Sequence, residues 1–116
     1  MKKLTLDESW ELCLEMWKWI ADNYVKGGFG VGRLKTRWLV DHGFERSDIH
    51  LDCFFCEYMD QNRNKPTGNP SYNCDHCPAV LVERSFQCTK CEYHYICKPV
   101  KFYQKLVELN RIRLSK

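Results

Sequence analysis

Leu6, Trp10, Cys13, Trp17, Ile20 and Tyr24 recur at spacings of three and four, which puts them on one face of a helix. Thr5 and Glu8 stand where a reciprocal capping box would start it, so the pattern predicts a helix over 5–24. Leu12, Met16 and Trp19 form a second apolar stripe. Such a helix is expected to touch structure on more than one side, or to offer the second stripe to a partner. Lys26-Gly27-Gly28-Phe29-Gly30 then breaks the period. The cluster matches neither a GxGxxG turn nor a P-loop. Leu34 and Trp38, one turn apart, predict a short helix over 34–42, with Gly43 where a left-handed C-cap belongs.

The middle of the chain has no long period. Met59 to Asn73 is polar and carries Pro66, Gly68 and Pro70, and reads as an exposed loop. Val80-Leu81-Val82 is apolar and β-branched, and reads as a short strand that would pair near Phe86. Pro99 suits the first turn of a final helix over 99–114. Val100, Tyr103, Val107 and Leu114 follow one stripe of it; Phe102, Leu106 and Leu109 follow another, and Arg111 to Lys116 is expected to fray. The expected fold is mainly α with a small zinc-knuckle/β element, a zinc-stabilised single domain over 1–116 in which the first and last helices pack together.

Composition changes this picture at one point. The 116 residues suffice for one domain, and aromatics make up 14% of them, enough for a real core. Eight Cys is the outlier. No secretory signal follows Met1-Lys2-Lys3, and no run approaches the roughly 18–20 apolar residues of a membrane span. Clustered Cys in such a chain point to metal ligation in a reducing cytoplasm rather than to disulfides. Net charge is +3 but uneven: segments 26–46 and 98–116 are basic, while 1–25 and the middle, 47–97, are acidic. That asymmetry permits an anionic partner without requiring one.

Cys53-Phe54-Phe55-Cys56 and Cys74-Asp75-His76-Cys77 are CxxC pairs separated by seventeen residues. This spacing is that of a structural zinc site, in which two turns each present two sulfurs to one tetrahedral ion. Such a site can supply on the order of 10–16 kcal/mol of folding energy. Four thiolates leave no open position for substrate, and no HExxH-like set is present. Cys88, Cys91, His94 and Cys97 offer a second set, each three apart. On a straight helix that spacing drifts by roughly 60° per step, so convergence requires a turn. Cross-bracing of Cys53 and Cys56 with Cys88 and Cys91 remains an alternative connectivity, and an iron–sulfur cluster is a weaker one. One Zn2+ is expected, with a second at this set. Cys13 reads as a small core residue. His76 reads as a surface group or a hydrogen-bond partner beside the second pair. His42 and His50 read as surface or cap residues.

Four strings carry a resemblance: Leu12 to Ala21 in the Trp-rich helix, Asp52 to Tyr58, Cys74 to Pro78, and Phe102 to Leu109. Together they resemble small zinc-knuckle accessory proteins of tailed bacteriophages. The resemblance implies a setting, the bacterial cytoplasm, more than an activity. With the closed metal set and the surplus of interface-prone aromatics, it makes a non-enzymatic binding module that modulates a host protein the expected function. The alternative is nucleic-acid binding through the basic segments, with Arg33, Lys35, Arg37, Lys101, Lys105, Arg111 and Arg113 meeting phosphates. An enzyme or small-molecule site at an open second metal is a third and weaker reading.

Overall fold

Leu6–Asn23 forms α1, and its start is the predicted one. Thr5 Oγ1 accepts the Glu8 backbone N–H at 3.1 Å, and Glu8 Oε1 accepts the Thr5 N–H at 3.1 Å. Trp10, Cys13, Met16, Trp17 and Ile20 are buried along one face. Ser9 is buried with them, its hydroxyl donating to the Leu6 carbonyl at 2.7 Å. Of the second stripe only Met16 is fully in the core; Leu12 and Trp19 are half-buried. The structure, a computed structural model, describes residues 3–26, 28, 30–44, 54–61 (backbone alone at 60 and 61) and 77–115.

Val31–Asp41 forms α2, which begins three residues before the expected start. Gly30 serves as N-cap, and Val31 is buried with Leu34, Trp38 and Leu39. Burial of Val31 carries the helix through Gly32 despite a propensity penalty of about 1 kcal/mol for glycine. The end follows the sequence. Gly43 takes φ +81°, its N–H bonds the Val40 carbonyl at 3.1 Å, and the Phe44 N–H bonds the Leu39 carbonyl at 2.9 Å. That is a Schellman motif, completed by Phe44 stacking on Trp38 at 6.1 Å.

Two expectations for the middle of the chain are corrected. Phe54–Gln61 is a helix, α3, and its Met59, expected in an exposed loop, is buried. Phe54, Phe55 and Met59 lie on neighbouring turns, and their burial makes a helix the favoured state of a segment that also carries Glu57, Asp60 and Gln61. The rest of the expected loop, 62–73, lies outside the described residues. Pro78–Val82 is a one-turn helix, α4, where a strand over 80–82 was expected. Pro78 at the first position pre-sets a helical φ, the Leu81 N–H closes onto the Cys77 carbonyl at 3.0 Å, and the Glu83 N–H onto that of Ala79 at 3.0 Å. Phe86, the expected pairing site, sits in a turn and stacks on Tyr93 at 5.6 Å. There is no strand among the described residues, so β propensity at Val80 and Val82 had no ladder to join.

Pro99–Leu114 forms α5, over the predicted span. Pro99, Phe102, Leu106 and Leu109 are buried. Its last turn is ordered rather than frayed: Arg113 Nη1 donates to Asp7 Oδ1 at 2.7 Å, and its guanidinium lies over the Trp10 ring at 4.9 Å. α1 is the centre of the assembly. α2, α3 and α5 each pack against it, and α4 packs against α5. Trp10 meets Phe55 edge-on at 4.8 Å, and Trp17 meets Phe102 edge-on at 4.8 Å. The result is a mainly helical single globule with a radius of gyration of 13.6 Å, close to the ~13 Å expected for one domain of this length. No helix among the described residues is long and apolar enough to cross a membrane.

Candidate metal centre and the basic helices

Two of the four expected zinc ligands are within the described residues. Cys56 is in the first turn of α3 and Cys77 is the N-cap of α4; both are half-buried. Each is seated by its neighbours. Phe54 and Phe55 bind α3 to Trp38 and Trp10, at 5.9 and 4.8 Å between ring centres, while Pro78 and Ala79 bury the start of α4. Cys53 and Cys74, together with His50 and His76, lie outside the described residues. Cys56 and Cys77 thus stand at helix starts, partly withdrawn from solvent, as thiol ligands of a structural zinc would.

The second set lies on the turns between α4 and α5. Cys88, Cys91 and Cys97 are exposed, and His94 is half-buried beside Tyr95, 5.4 Å between ring centres. Backbone bonds close this segment: Lys90 N–H to Gln87 carbonyl at 3.0 Å, Tyr93 N–H to Lys90 carbonyl at 3.0 Å, and Tyr95 N–H to Cys88 carbonyl at 3.2 Å. Lys98 Nζ donates to the Cys91 carbonyl at 2.7 Å. His94 Nδ1 accepts the Ile96 N–H at 3.2 Å, which puts its own ring proton on Nε2. Among the described residues no three His, Cys, Asp or Glu side chains are grouped so as to hold a metal ion. Cys13 is a buried core residue of α1, as its position predicts. His42 is the C-cap of α2; it stacks on Trp38 at 3.9 Å and donates from Nδ1 to the Trp38 carbonyl at 2.8 Å.

The seven basic candidates divide by what already engages them. Lys105 is 3.0 Å from Glu83 and 3.0 Å from Glu108, and its ammonium sits 5.6 Å from the Tyr93 ring. Burial works against its charge, but the hydrogen bonds and charges of the two carboxylates prevail and hold its pKa above the ordinary lysine value. Arg113 is tied to Asp7 and Asn110. Arg37 lies 3.9 Å from Asp41 across one exposed turn of α2, a weak pair. Arg33 and Lys35 are on α2, and Lys101 and Arg111 are exposed on α5. The Lys105–Glu83 and Arg113–Asp7 partnerships had no local signal, since each joins residues far apart in sequence. Glu8, Glu11, Leu12, Leu14 and Glu15 line a cavity of about 430 Å3 along α1, whose Glu8 is already engaged in the capping box.

No family model, curated protein or solved structure matches this chain. The resemblance to phage zinc-knuckle proteins therefore rests on its residues alone.

Proposed function

We propose that this chain is a non-enzymatic, zinc-stabilised binding module, an accessory phage protein that binds and modulates a host protein in the bacterial cytoplasm. In this reading Cys53, Cys56, Cys74 and Cys77 hold one Zn2+, which supplies structure and no chemistry on a substrate. The aromatic residues that first suggested an interface do not support it, because Trp10, Trp17 and Trp38 are spent on the core. The observation that carries the reading is on α5. Val100, Val107, Ile112 and Leu114 are large apolar residues left exposed on a helix that is otherwise firmly packed. Val100, Val107 and Leu114 share one side of that helix, and contiguous exposed apolar surface marks places that meet other molecules.

The test is retention. Tagged full-length chain is held on a matrix with bacterial cytosol and washed at about 50 and about 200 mM salt, a range over which several phosphate contacts lose much of their strength. A single host protein retained through both washes is the expected result. Nucleic acid recovered at low salt and lost at high salt, with no protein retained, would overturn the reading in favour of the basic segments.

A further inference from the structure

α5 carries two apolar stripes and the fold covers one of them. Phe102, Leu106 and Leu109 face α1 and α4 in the core. Val100, Val107 and Leu114 remain 44%, 37% and 66% exposed. They are seven residues apart, so at 1.5 Å per residue they form a row about 21 Å long, matched to three or four turns of another helix. Tyr103, half-buried, links the row to the core. At 100° per residue, Gln104 and Arg111 come next around the helix on the solvent side, with Glu108 and Lys101 beyond them; all four are exposed.

Charge selects what fits this row. Lys105 and Arg113 are engaged within the chain, the first by both Glu83 and Glu108 and the second by Asp7. Lys101 and Arg111 make no ion pair among the described residues, and Glu108, the helix's one carboxylate, is turned to Lys105. A second α5 laid parallel on the row would set Arg111, the charge nearest it, against its own like, which disfavours that copy. Three aliphatic side chains with no exposed Trp or Phe beside them among the described residues make a narrow ridge, unlike the broad aromatic-bearing face of a membrane-surface helix.

We propose that the Val100–Val107–Leu114 row of α5 is a docking face for an amphipathic helix of a partner protein, one with aliphatic residues at heptad spacing and carboxylates along its flank. This rests on the binding-module reading and states the chemistry of its partner. A heptad row drifts by about 20° per repeat on a straight helix, so the partner crosses α5 at a shallow left-handed angle.

The experiment titrates the whole chain with three probes: a synthetic helical peptide of about three heptads with Leu at a and d and Glu at e and g, the same peptide with Lys in place of Glu, and vesicles containing phosphatidylglycerol. The Glu peptide is expected to bind at least about tenfold more tightly than the Lys peptide, with the difference shrinking in high salt. Val100→Gln with Val107→Gln is expected to weaken it by about tenfold while the melting temperature stays put. Equal binding of both peptides, no binding of the Glu peptide, tighter binding to the vesicles, or a dimer in sedimentation that the double variant abolishes would each overturn the proposal. A host protein retained equally by wild type and double variant would overturn the α5 face and leave the binding module standing. The peptide titration reads α5 even where no host protein is captured.

Discussion

Arg113→Ala should destabilise this protein measurably, although Arg113 stands two residues from the last described position. Its side chain is 19% exposed; besides a local fork of hydrogen bonds to Asn110 within α5, it makes three kinds of contact that bear on α1. The pair with Asp7 is short, 2.7 Å, but Asp7 is 76% exposed, so water and salt limit it to roughly 0.2–1 kcal/mol. The guanidinium over Trp10 at 4.9 Å adds roughly 0.5–1 kcal/mol, since the ring beneath it is buried. Packing of the aliphatic stem adds a further few tenths. Together the loss is about 1–2 kcal/mol, which for a chain of this size lowers Tm by about 4–8 °C. Chemical denaturation of wild type, Arg113→Ala, Asp7→Ala and the double variant separates the terms. The Asp7–Arg113 coupling should stay below about 1 kcal/mol and shrink at high salt, while the remainder of the Arg113 effect persists. Arg113→Lys should recover part of the pair and little of the ring contact. An Arg113→Ala protein within about 0.3 kcal/mol of wild type would refute the reasoning and mean that the end of α5 is not anchored to α1.

Cys56→Ser or Cys77→Ser should abolish stoichiometric zinc in metal analysis and cost the protein its cooperative melting transition, as should a strong chelator; a variant that melts cooperatively without zinc would sink the structural role. Leu106→Ala removes a fully buried side chain from the α1–α5 contact and should cost about 2–5 kcal/mol by denaturant titration, against near-neutrality for Val107→Ala on the exposed row. Because the folded pKa of Lys105 is raised, its contribution is fully present below the unfolded value of about 10.4 and is lost as pH rises through the folded one. Lys105→Met should therefore lower stability at pH 7 and flatten the decline of wild type above about pH 10, which melting curves across that range would record.

Elements whose causes are local were legible in the sequence. The Thr5–Glu8 box, the Gly43 cap and Pro99 at the start of α5 each act within one turn, and each stands where the residues put it. Elements decided by tertiary burial were not. Gly30 closed a breaker cluster and the helix was expected only from Leu34, yet the core's use of Val31 makes Gly30 the cap of α2 and carries the helix through Gly32. Met59 borders a polar stretch and is claimed by the core, and Val80 to Val82 follow Pro78 rather than their own β propensity. The tail after Asn110 looked unanchored because its partner, Asp7, is 106 residues away. At the candidate metal centre, spacing alone nominated Cys56 and Cys77, and both are seated at helix starts. The second set had spacing too, and its Cys88, Cys91 and Cys97 stand exposed on the turns between α4 and α5.

The central position of α1 has a consequence for the order in which this molecule can be made. α1 is synthesised early, yet Trp10 and Trp17 are covered by Phe55, Phe102 and Arg113, and the last two arrive only with α5. At about 5–20 residues per second, the indoles of a nascent chain wait on the order of 5–18 s for their final cover. During that interval the first helix is an exposed, Trp-rich amphipathic segment at the mouth of the ribosome, a natural client for chaperones that grip hydrophobic nascent chains. Folding of this protein is in that sense a closing event, made by its last sixteen-residue helix on its first.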